Sequence, residues 1–446
     1  MAERLSAREV VTALADDATF AELPSPERKS RPDGPLAWPG YDDSRARASE
    51  RTGEQESVVC GTARVGGIRA VLIAFEFGFL GGSLGERTGD RLEAAYAYAR
   101  ERRLPVVPLV ATGGSRMQEG MLALTQLQRV ARQSALTREA GLAQVAVLRD
   151  PTTGGGWATL GAGADVVLAL PGAQVGFAGS RVRPADADPA AYTAEAQVAA
   201  GAADAVVRPQ ELRETLGRWL RLLTCPSTTP APPPDPLGES AVLPVTGWDA
   251  VRRARSPQRP RAGAYLDAYF TERTAIGGDR CGGTDPDGML CGFGTHEGRT
   301  IAYAAQTGAA TRPAGYRTAA RLIRLADRLG IPVLTLVDTP GAANDAEAER
   351  QGAGAAIADL FGAVAGARTP VTTLVIGEGG SGGALALAAP GNTWATPDSY
   401  FSVIAPELAA AILKRPPREV ESTADQLRIR PQDLVELGVI RGTVGG

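Results

Sequence analysis

The sequence predicts an α/β protein of two tandem domains related by internal duplication, each with a mostly parallel sheet covered by helices. Three observations support this prediction. Strand-like apolar runs alternate with amphipathic helix-like runs along most of the 446 residues, a pattern typical of parallel sheets with helices packed outside. Motifs of the first half recur in the second at an offset of 227 residues, and a proline-rich stretch separates the halves.

Composition places the chain among ordinary globular proteins. Hydrophobic residues make up 44% and charged residues 22% of the chain. The formal net charge of −3 excludes a global basic field that would recruit nucleic acid or anionic lipid. The start of the chain lacks the apolar core of a secretory signal, and no uncharged apolar run approaches the roughly 20 residues of a membrane span. We therefore expect a cytoplasmic protein without nucleic-acid or membrane partners.

The four cysteines and the single histidine restrict the possible chemistry. Cys60, Cys225, Cys281 and Cys291 show no CxxC pairing, which favours reduced thiols over a zinc site or disulfides. His296 lies in "GTHEGRT", a predicted hairpin turn where a histidine is usually solvated. We expect a reaction without a histidine base, which removes most Ser-His and Cys-His hydrolase mechanisms.

The aligned halves share a hairpin, a helix, a strand and glycine-rich turns. "VVCGTARVGGIRAVLIAFEF" and "MLCGFGTHEGRTIAYAAQTG" both indicate strand-turn-strand. "RLEAAYAYARERRLPVVPLVATGG" aligns with "RTAARLIRLADRLGIPVLTLVDTPG", each a helix followed by a strand and a glycine turn. Pro105 matches Pro332, and Gly155 matches Gly382, both at an offset of 227. The period is that of a duplicated domain rather than of a short-repeat solenoid.

The boundary between the halves is marked by proline. "PSTTPAPPPDP", residues 226–236, has proline at six of eleven positions, a composition that favours an extended, semi-rigid spacer. We therefore predict a first domain over residues 1–225, a linker over 226–257 and a second domain over 258–446.

Four glycine-rich turns follow predicted strands: "ATGGSRMQEG", "RDPTTGGGWATLG", "VDTPGAANDAEAER" and "IGEGGSGGALALA". Glycine lets backbone N–H groups approach a ligand at a helix start, and two N–H groups aimed at one point form an oxyanion hole. A phosphate-binding loop is disfavoured, because GxxxxGK[ST] is absent and no GxGxxG follows a first strand. Close helix-strand packing explains a single turn of this kind, but four in duplicated register favour a function.

These motifs resemble those of a known family. "FEFGFLGGSLG", "TGGSRMQEGM" and "DPTTGGGWATLGAGADV" resemble the carboxyltransferase beta subunit of bacterial acetyl-CoA carboxylase. "AGYRTAARLIRLADRLGIPVLTLVDTPGA", "VIGEGGSGGALALA" and "YFSVIAPELAAAILKR" resemble its alpha subunit. The resemblance covers nearly the whole chain apart from the linker, so the chain is similar to a beta-alpha fusion. It implies two ClpP/crotonase-like domains of the β-β-α superhelix type.

The resemblance also implies an activity and a site. The family transfers a carboxyl group from carboxybiotin to the α-carbon of an acyl-CoA, and decarboxylated biotin takes the α-proton. By resemblance, Gly113 and Gly114 hold the acyl thioester oxygen, while Gly383 and Ala384 hold the biotin carbonyl oxygen. Further residues are implied in substrate binding and in shaping the cleft: Gly81, Gly82, Arg116, Gly154, Gly155, Gly156, Gly341, Ala342, Gly380, Gly382 and Ala386.

Some features depart from the family or have ordinary explanations. The four-cysteine zinc ribbon that begins the beta subunit is not found, so we expect no metal. After "DTPGA", the family's Tyr-Pro-Gly is replaced by "ANDAEAERQG", which leaves the biotin partner and the acyl acceptor open. Arg116 and Glu119 have the i, i+3 spacing of a local helix pair, and Glu378 is expected to order its loop.

The leading hypothesis is a carboxyltransferase component that works with a biotin carboxyl carrier protein and a biotin carboxylase. Both must be separate chains, since the sequence has no Met-Lys biotinyl site and no ATP-grasp segment. By resemblance, the residue three positions after the biotin-side glycine affects acyl-chain length, and the small Ala386 at this position favours acetyl-CoA as the coenzyme A thioester substrate, with malonyl-CoA for fatty acid or polyketide biosynthesis as the product.

Several rivals and one question of assembly stay open. The rivals are a malonyl-thioester decarboxylase of the same fold, a pathway-specific carboxyltransferase with an unusual acyl substrate, a silent scaffold, and a crotonase-type hydratase or isomerase. The last needs a positioned carboxylate, for which Glu119 and Glu378 are the candidates. In resembling enzymes the two halves face each other across a subunit interface, so we expect a homodimer with clefts shared between chains.

Overall fold

The computed structural model describes residues 4–29, 31–238 and 242–445. The chain divides into two compact units, Met1–Thr224 and Cys225–Gly446. Each unit is built on one eight-stranded sheet.

The sheet of the first unit has the order β1-β2-β3-β4-β5-β6-β8, with β7 paired to β5. Its strands are β1 (Ala21–Glu22), β2 (Val58–Val65), β3 (Ile68–Phe75), β4 (Val106–Thr112), β5 (Val145–Thr153), β6 (Val166–Ala169), β7 (Val175–Gly176) and β8 (Ala205–Val206). The pairs β1-β2 and β2-β3 are antiparallel, and the other pairs are parallel.

The sheet of the second unit has the order β9-β10-β11-β12-β13-β14-β16, with β15 paired to β13. Its strands are β9 (Glu272–Ala275), β10 (Met289–His296), β11 (Arg299–Gln306), β12 (Val333–Thr339), β13 (Val371–Gly380), β14 (Thr393–Ala395), β15 (Tyr400–Ser402) and β16 (Gly442–Thr443). Only β9-β10 and β10-β11 are antiparallel among these pairs of the described residues.

The two sheets therefore have the same strand order, which confirms the predicted duplication and the parallel-rich α/β fold. Even an irregularity recurs: the register shifts between Val110 and Thr112 on β4 and between Val337 and Thr339 on β12. Both shifts lie just before a predicted glycine turn. An equivalent local bend in each sheet therefore places the turn at the carboxyl edge of the sheet.

Helices pack outside the sheets. Those of the first unit are α1 (Ala7–Leu14), α2 (Tyr41–Thr52), α3 (Glu86–Arg102), α4 (Gly120–Glu139), α5 (Gly154–Gly156), α6 (Ala194–Ala199) and α7 (Pro209–Leu223). Those of the second unit are α8 (Gly247–Ala254), α9 (Ala262–Tyr269), α10 (Pro313–Leu329), α11 (Ala346–Arg350), α12 (Ala353–Gly366), α13 (Ser381–Leu385), α14 (Pro406–Ile412), α15 (Val420–Gln426) and α16 (Pro431–Glu436). Among the described residues, no helix is long and apolar enough to cross a membrane.

The core of each unit is formed by its central strands. From Ala70 to Phe75, β3 carries six consecutive buried apolar residues, as expected of a strand that is covered on both faces. Apolar residues of α3 and α4, such as Leu92 and Val130, belong to the same core cluster. The strand ends that carry the glycine turns are therefore held by a packed layer on either side.

The proline-rich segment, predicted as a linker, packs on the second unit. Ala231 is buried in the core cluster of that unit, and its carbonyl accepts a hydrogen bond from the Thr372 hydroxyl. The Tyr269 hydroxyl donates to the Pro232 carbonyl at 2.9 Å. Residues 247–254 of the predicted linker form α8, whose Val251 is also buried. Proline prevents regular hydrogen bonding but not packing of an extended chain.

His296 lies at the end of β10, next to the predicted turn of the hairpin. It is half-buried rather than solvated, because its ring stacks on that of Tyr269 with centroids 3.8 Å apart. Its Nδ1 lies 2.7 Å from the Tyr269 carbonyl oxygen. The histidine therefore has a packing role in the hairpin.

Candidate active site

Three turns of the first unit meet at the carboxyl ends of β4 and β5. The Gly113 N–H donates to the Gly81 carbonyl at 2.9 Å, and the Leu84 N–H donates to the Gly114 carbonyl at 2.9 Å. A Cβ placed on Gly154 would lie 3.2 Å from the Cα of Gly114. The structure thus brings together most of the site residues predicted for this half. They include the residues next to Gly81 and Gly154 in the same turns: Gly82, Gly155 and Gly156.

The predicted oxyanion donors of the first unit already have partners. Besides the Gly113–Gly81 bond, the Gly114 N–H donates to the Thr112 hydroxyl at 3.0 Å. Among the described residues, the next N–H along the loop, that of Ser115, has no hydrogen-bond partner. The loop therefore differs from the expectation of two unpaired N–H groups on Gly113 and Gly114, because the Thr112 side chain closes the turn.

The second unit repeats this turn. The Gly341 N–H donates to the Thr339 hydroxyl at 3.1 Å, and the Ala342 N–H is without a partner in the described part of the chain. Thr339 and Ala342 follow Thr112 and Ser115 at the offset of 227 residues. The threonines were not predicted, although "ATGG" and "DTPG" place one two residues before the glycine in both halves.

The biotin-side glycine Gly383 lies in the first turn of α13. A Cβ on Gly383 would lie 2.6 Å from the Ala342 nitrogen and 2.5 Å from the Tyr316 hydroxyl oxygen. Only glycine allows this close approach between the turn of β12 and the helix. The N–H groups of Gly382 and Gly383 belong to the first turn, where no preceding helical turn supplies an acceptor. Both strand-end turns of the second unit are therefore in contact.

The remaining predicted residues of the second unit surround this contact. Gly380 is so close to the turn of β12 that a Cβ on it would lie 2.1 Å from the Pro340 carbonyl oxygen. Ala384 and Ala386 are fully buried on α13 and at its C-cap. Two residues that the sequence analysis missed, Gln306 and Tyr316, donate to the Gly383 carbonyl.

The Arg116 side chain is held inside the first unit and does not form a simple helix pair. It is 1% exposed, and its Nη1 donates to Glu56 Oε2 at 3.1 Å, with a second bond from Nη2 to the other carboxylate oxygen. Its Nη2 also donates to the Ser83 carbonyl at 2.7 Å, whereas Glu119 lies 3.7 Å away. Burial alone would raise the pKa of Glu56, but Arg116 outweighs this effect and keeps the pKa below its ordinary value. We infer that Arg116 holds its loop in place from the interior of the first unit.

We expect Glu56→Gln to destabilise the first unit by up to about 3–5 kcal/mol, because the buried Arg116 charge loses its hydrogen-bonded carboxylate and keeps only Glu119, at 3.7 Å, as a charged partner. The free energy of unfolding from urea titration measures this loss. The double variant Glu56→Gln/Arg116→Met should recover part of the stability, since the Arg116 charge is also removed and the buried Glu119 carboxylate keeps its hydrogen bond from the Tyr41 hydroxyl. As a control, Arg208→Gln breaks an exposed pair with Glu211 and should change the free energy of unfolding far less than Glu56→Gln does, because solvent screens this pair. Equal losses in all variants would contradict the assignment.

The second unit anchors its turns with a different buried ion pair. Arg259 Nη2 donates to both carboxylate oxygens of Asp338 at 2.9 Å, and both side chains are buried. Asp338 Oδ1 also accepts the Glu378 N–H of β13 at 3.1 Å. Glu378 in turn accepts from Arg255 Nε and from the Tyr400 hydroxyl at 2.7 and 2.9 Å. Glu378 thus orders its loop, in agreement with the expectation from the sequence.

We predict that the purified protein contains no stoichiometric zinc. The described residues include no group of three or more histidine, cysteine or acidic side chains that could hold a metal ion, and a structural zinc site takes four ligands in tetrahedral array. Metal analysis after dialysis against a chelator measures the content. One zinc per chain retained after this treatment would contradict the prediction.

Comparisons with known proteins agree with this organisation. Two family profiles match in order, one described as "Carboxyl transferase domain" over residues 38–204 and one as "Acetyl co-enzyme A carboxylase carboxyltransferase-like" over residues 237–445. A Saccharopolyspora erythraea protein named "Acetyl-coenzyme A carboxylase carboxyl transferase subunits beta/alpha" is 37% identical over 99% of this chain and 80% of its own length. A Mycobacterium bovis protein named "Probable biotin-dependent acyl-coenzyme A carboxylase beta3 subunit" is 34% identical over 91% of this chain and 84% of its own.

Solved structures share the fold. A crystal structure of transcarboxylase 12S, described as a hexamer assembly with hydrolysed methylmalonyl-coenzyme A bound, matches with a TM-score of 0.80. The match covers 99% of this chain and 87% of that one, at 21% sequence identity. This likeness confirms the expected two-domain crotonase-like fold.

Proposed function

Since this chain belongs to the acetyl-CoA carboxylase carboxyltransferase family, with beta-like and alpha-like halves in one polypeptide, we propose that it transfers a carboxyl group from carboxybiotin to an acyl-CoA. The observation that carries this proposal is the duplicated site. Each unit places a threonine-closed turn beside a glycine-rich helix start, and the turn carries an N–H, on Ser115 or Ala342, that is unpaired within residues 4–29, 31–238 and 242–445. Both reactants are carbonyl compounds that gain negative charge on oxygen, and each needs its own oxyanion hole.

The first unit holds the acyl-CoA in this proposal. Its thioester oxygen accepts hydrogen bonds at the Gly113–Ser115 loop, where the Ser115 N–H has no partner in the part of the chain that the structure describes. Gly113 and Gly114 keep the loop free of side chains, so that the oxygen can reach the backbone. The buried Arg116–Glu56 pair holds the loop in place before the substrate binds, which avoids reorganisation during the reaction.

The second unit holds the biotin ring. Its carbonyl oxygen accepts hydrogen bonds at the start of α13, from Gly383 and Ala384, with the nearby Ala342 N–H as a further donor. Carboxybiotin, bound on its carrier, supplies the carboxyl group. The protein contributes orientation and charge stabilisation rather than a histidine base, since its single histidine packs on Tyr269 in a hairpin.

The partners follow from the same proposal. A biotin carboxyl carrier protein brings the carboxybiotin and a biotin carboxylase recharges it. Acetyl-CoA is the proposed acceptor, supported by the small, fully buried Ala386 at the end of α13. A panel of acyl-CoA substrates tests this choice, and a preference for propionyl-CoA or longer chains would contradict it.

A homodimer completes the proposal. Apolar side chains lie exposed beside each proposed oxyanion hole: Met117 and Met121 are 71% and 68% exposed after the first loop, and Leu385 is 48% exposed after Ala384. Such patches are typical of protein interfaces. A second copy of the chain would cover them if the first unit of one chain faced the second unit of the other.

The test is malonyl-CoA decarboxylation in the presence and absence of biocytin, followed as acetyl-CoA formation. Turnover that requires biocytin would support the carboxyltransferase. Turnover of equal rate without biocytin would contradict it and favour the malonyl-thioester decarboxylase. The absence of both activities in well-folded protein would contradict both functions. Denatured protein gives the background rate.

A further inference from the structure

Two buried side chains converge on one carbonyl of the biotin-side helix. Gln306 Nε2 donates to the Gly383 carbonyl oxygen at 3.1 Å, and the Tyr316 hydroxyl donates to the same oxygen at 3.2 Å. Gln306 is the last residue of β11, Tyr316 lies in the first turn of α10, and both are essentially inaccessible to solvent. The two donors thus reach α13 from the core, on the side opposite to a ligand that approaches its N–H groups.

This convergence fixes a peptide plane. The Gly383 carbonyl and the Ala384 N–H belong to one planar peptide unit and point in opposite directions. Two donors on the carbonyl therefore set the direction of the Ala384 N–H, which is a proposed donor to the biotin carbonyl oxygen. The Tyr316 hydroxyl oxygen also lies only 2.5 Å from the position that a Cβ on residue 383 would take, so any side chain at that residue would displace the hydroxyl.

The burial of Gln306 is costly, which argues for a specific role. Among the described residues its Oε1 is one of few buried side-chain oxygens without a hydrogen-bond partner, and burial of such a group lowers stability because it loses its hydrogen bonds to water. The sheet itself does not require an amide there. Phe75 occupies the matching place in the first unit, since Gln306 pairs with Met289 as Phe75 pairs with Val58.

We propose that Gln306 and Tyr316 are positioning residues that clamp the Gly383 carbonyl and so aim the Ala384 N–H at the biotin carbonyl oxygen. This inference rests on the proposed function and assigns two further residues to it. Neither residue touches the substrate, and their effect passes through the orientation of the peptide. An oxyanion hole needs its donors in place before charge develops, and an error of about 1 Å in placement costs on the order of 100-fold in rate.

Two variants test the clamp. Gln306→Met removes the amide at similar volume, and Tyr316→Phe removes only the hydroxyl. Each should lower kcat of biocytin-dependent malonyl-CoA decarboxylation about 10- to 100-fold, with KM for malonyl-CoA unchanged because the acyl-CoA lies on the first unit. Thermal stability of Gln306→Met should equal or exceed that of the wild type, since an unpaired buried oxygen is removed.

The matched control is Tyr269→Phe, which removes a hydroxyl bond to a backbone carbonyl away from the site. It should leave kcat within about twofold of the wild type. The Pro232 carbonyl that accepts this bond is distant in sequence from α13 and has no proposed part in binding biotin. If Tyr269→Phe lowers kcat as much as Tyr316→Phe does, the inference fails.

Hydrogen exchange separates the clamp from the proposed function. In Gln306→Met and Tyr316→Phe, amides of residues 381–388 should exchange at least about tenfold faster than in the wild type, with other segments unchanged. An inactive wild type would refute the proposed function, and the exchange of this segment would then decide the clamp alone. Unchanged exchange in both variants, or unchanged kcat with an active wild type, would overturn the inference.

Discussion

Gly114→Val should lower kcat for acyl-CoA turnover about 100- to 1000-fold, an effect as large as that of losing one oxyanion donor, because the valine side chain would keep the thioester oxygen away from the Ser115 N–H. Gly114 has φ of +109°, a region that L side chains rarely adopt. A side chain there would also approach the neighbouring turn of Gly154, since its Cβ would lie 3.9 Å from the Gly154 Cα. Malonyl-CoA decarboxylation with biocytin measures kcat, and circular dichroism verifies folding.

The control for this variant is Gly67→Val in the β2-β3 hairpin turn. Gly67 also has a positive φ of +84°, but a Cβ there would meet open space, and the turn lies at the opposite edge of the sheet. The backbone strain that Gly67→Val introduces should lower the free energy of unfolding by about 1–3 kcal/mol. The kcat of this variant should stay within about twofold of the wild type. A folded Gly114→Val protein with near-normal turnover would refute the assignment of the loop.

Mixing two inactive variants should restore activity if the clefts are shared between chains. Gly114→Val inactivates the first unit and Gly383→Val the second. In a head-to-tail homodimer, each mixed dimer has one intact cleft, made of the wild-type turns of both chains. Random exchange at equal amounts makes half of the dimers mixed, so about a quarter of the wild-type sites should return.

The alternative assembly gives a different result. If each cleft combined the two halves of one chain, every chain in the mixture would carry one inactive half and no activity would return. The measurement is turnover before and after subunit exchange, with each variant incubated alone as the control. An absence of recovery after exchange, verified with differently tagged chains, would eliminate the head-to-tail dimer.

Local features of the sequence predicted the fold and the position of the turns. The β2-β3 and β10-β11 hairpins lie where strand-turn-strand patterns were predicted, because alternation of apolar runs with glycine turns is a short-range signal. The offset between Pro105 and Pro332 predicted the duplication. A repeated sequence pattern indicates a repeated fold even when no contact between residues is known.

The supports of the site were not predictable in the same way. Arg116 forms its hydrogen-bonded ion pair with Glu56, 60 positions earlier in the chain, whereas Glu119, three positions later, is only a longer ion-pair partner at 3.7 Å. Arg259 reaches Asp338 from a stretch next to the predicted linker. The choice of partner in a buried ion pair depends on which strands and helices meet, and neither spacing nor residue type reveals this in one sequence.

The packing of the proline-rich segment determines where the polypeptide can be divided for separate production of its halves. A fragment that began at residue 258 would uncover the place of Ala231 in the core cluster and leave the Tyr269 and Thr372 hydroxyls without their acceptors. It would also lose Arg255, the partner of Glu378. A fragment that begins at Cys225 keeps all of these contacts. The natural boundary for truncation therefore lies before the prolines, and a conventional cut after them would yield an aggregation-prone product.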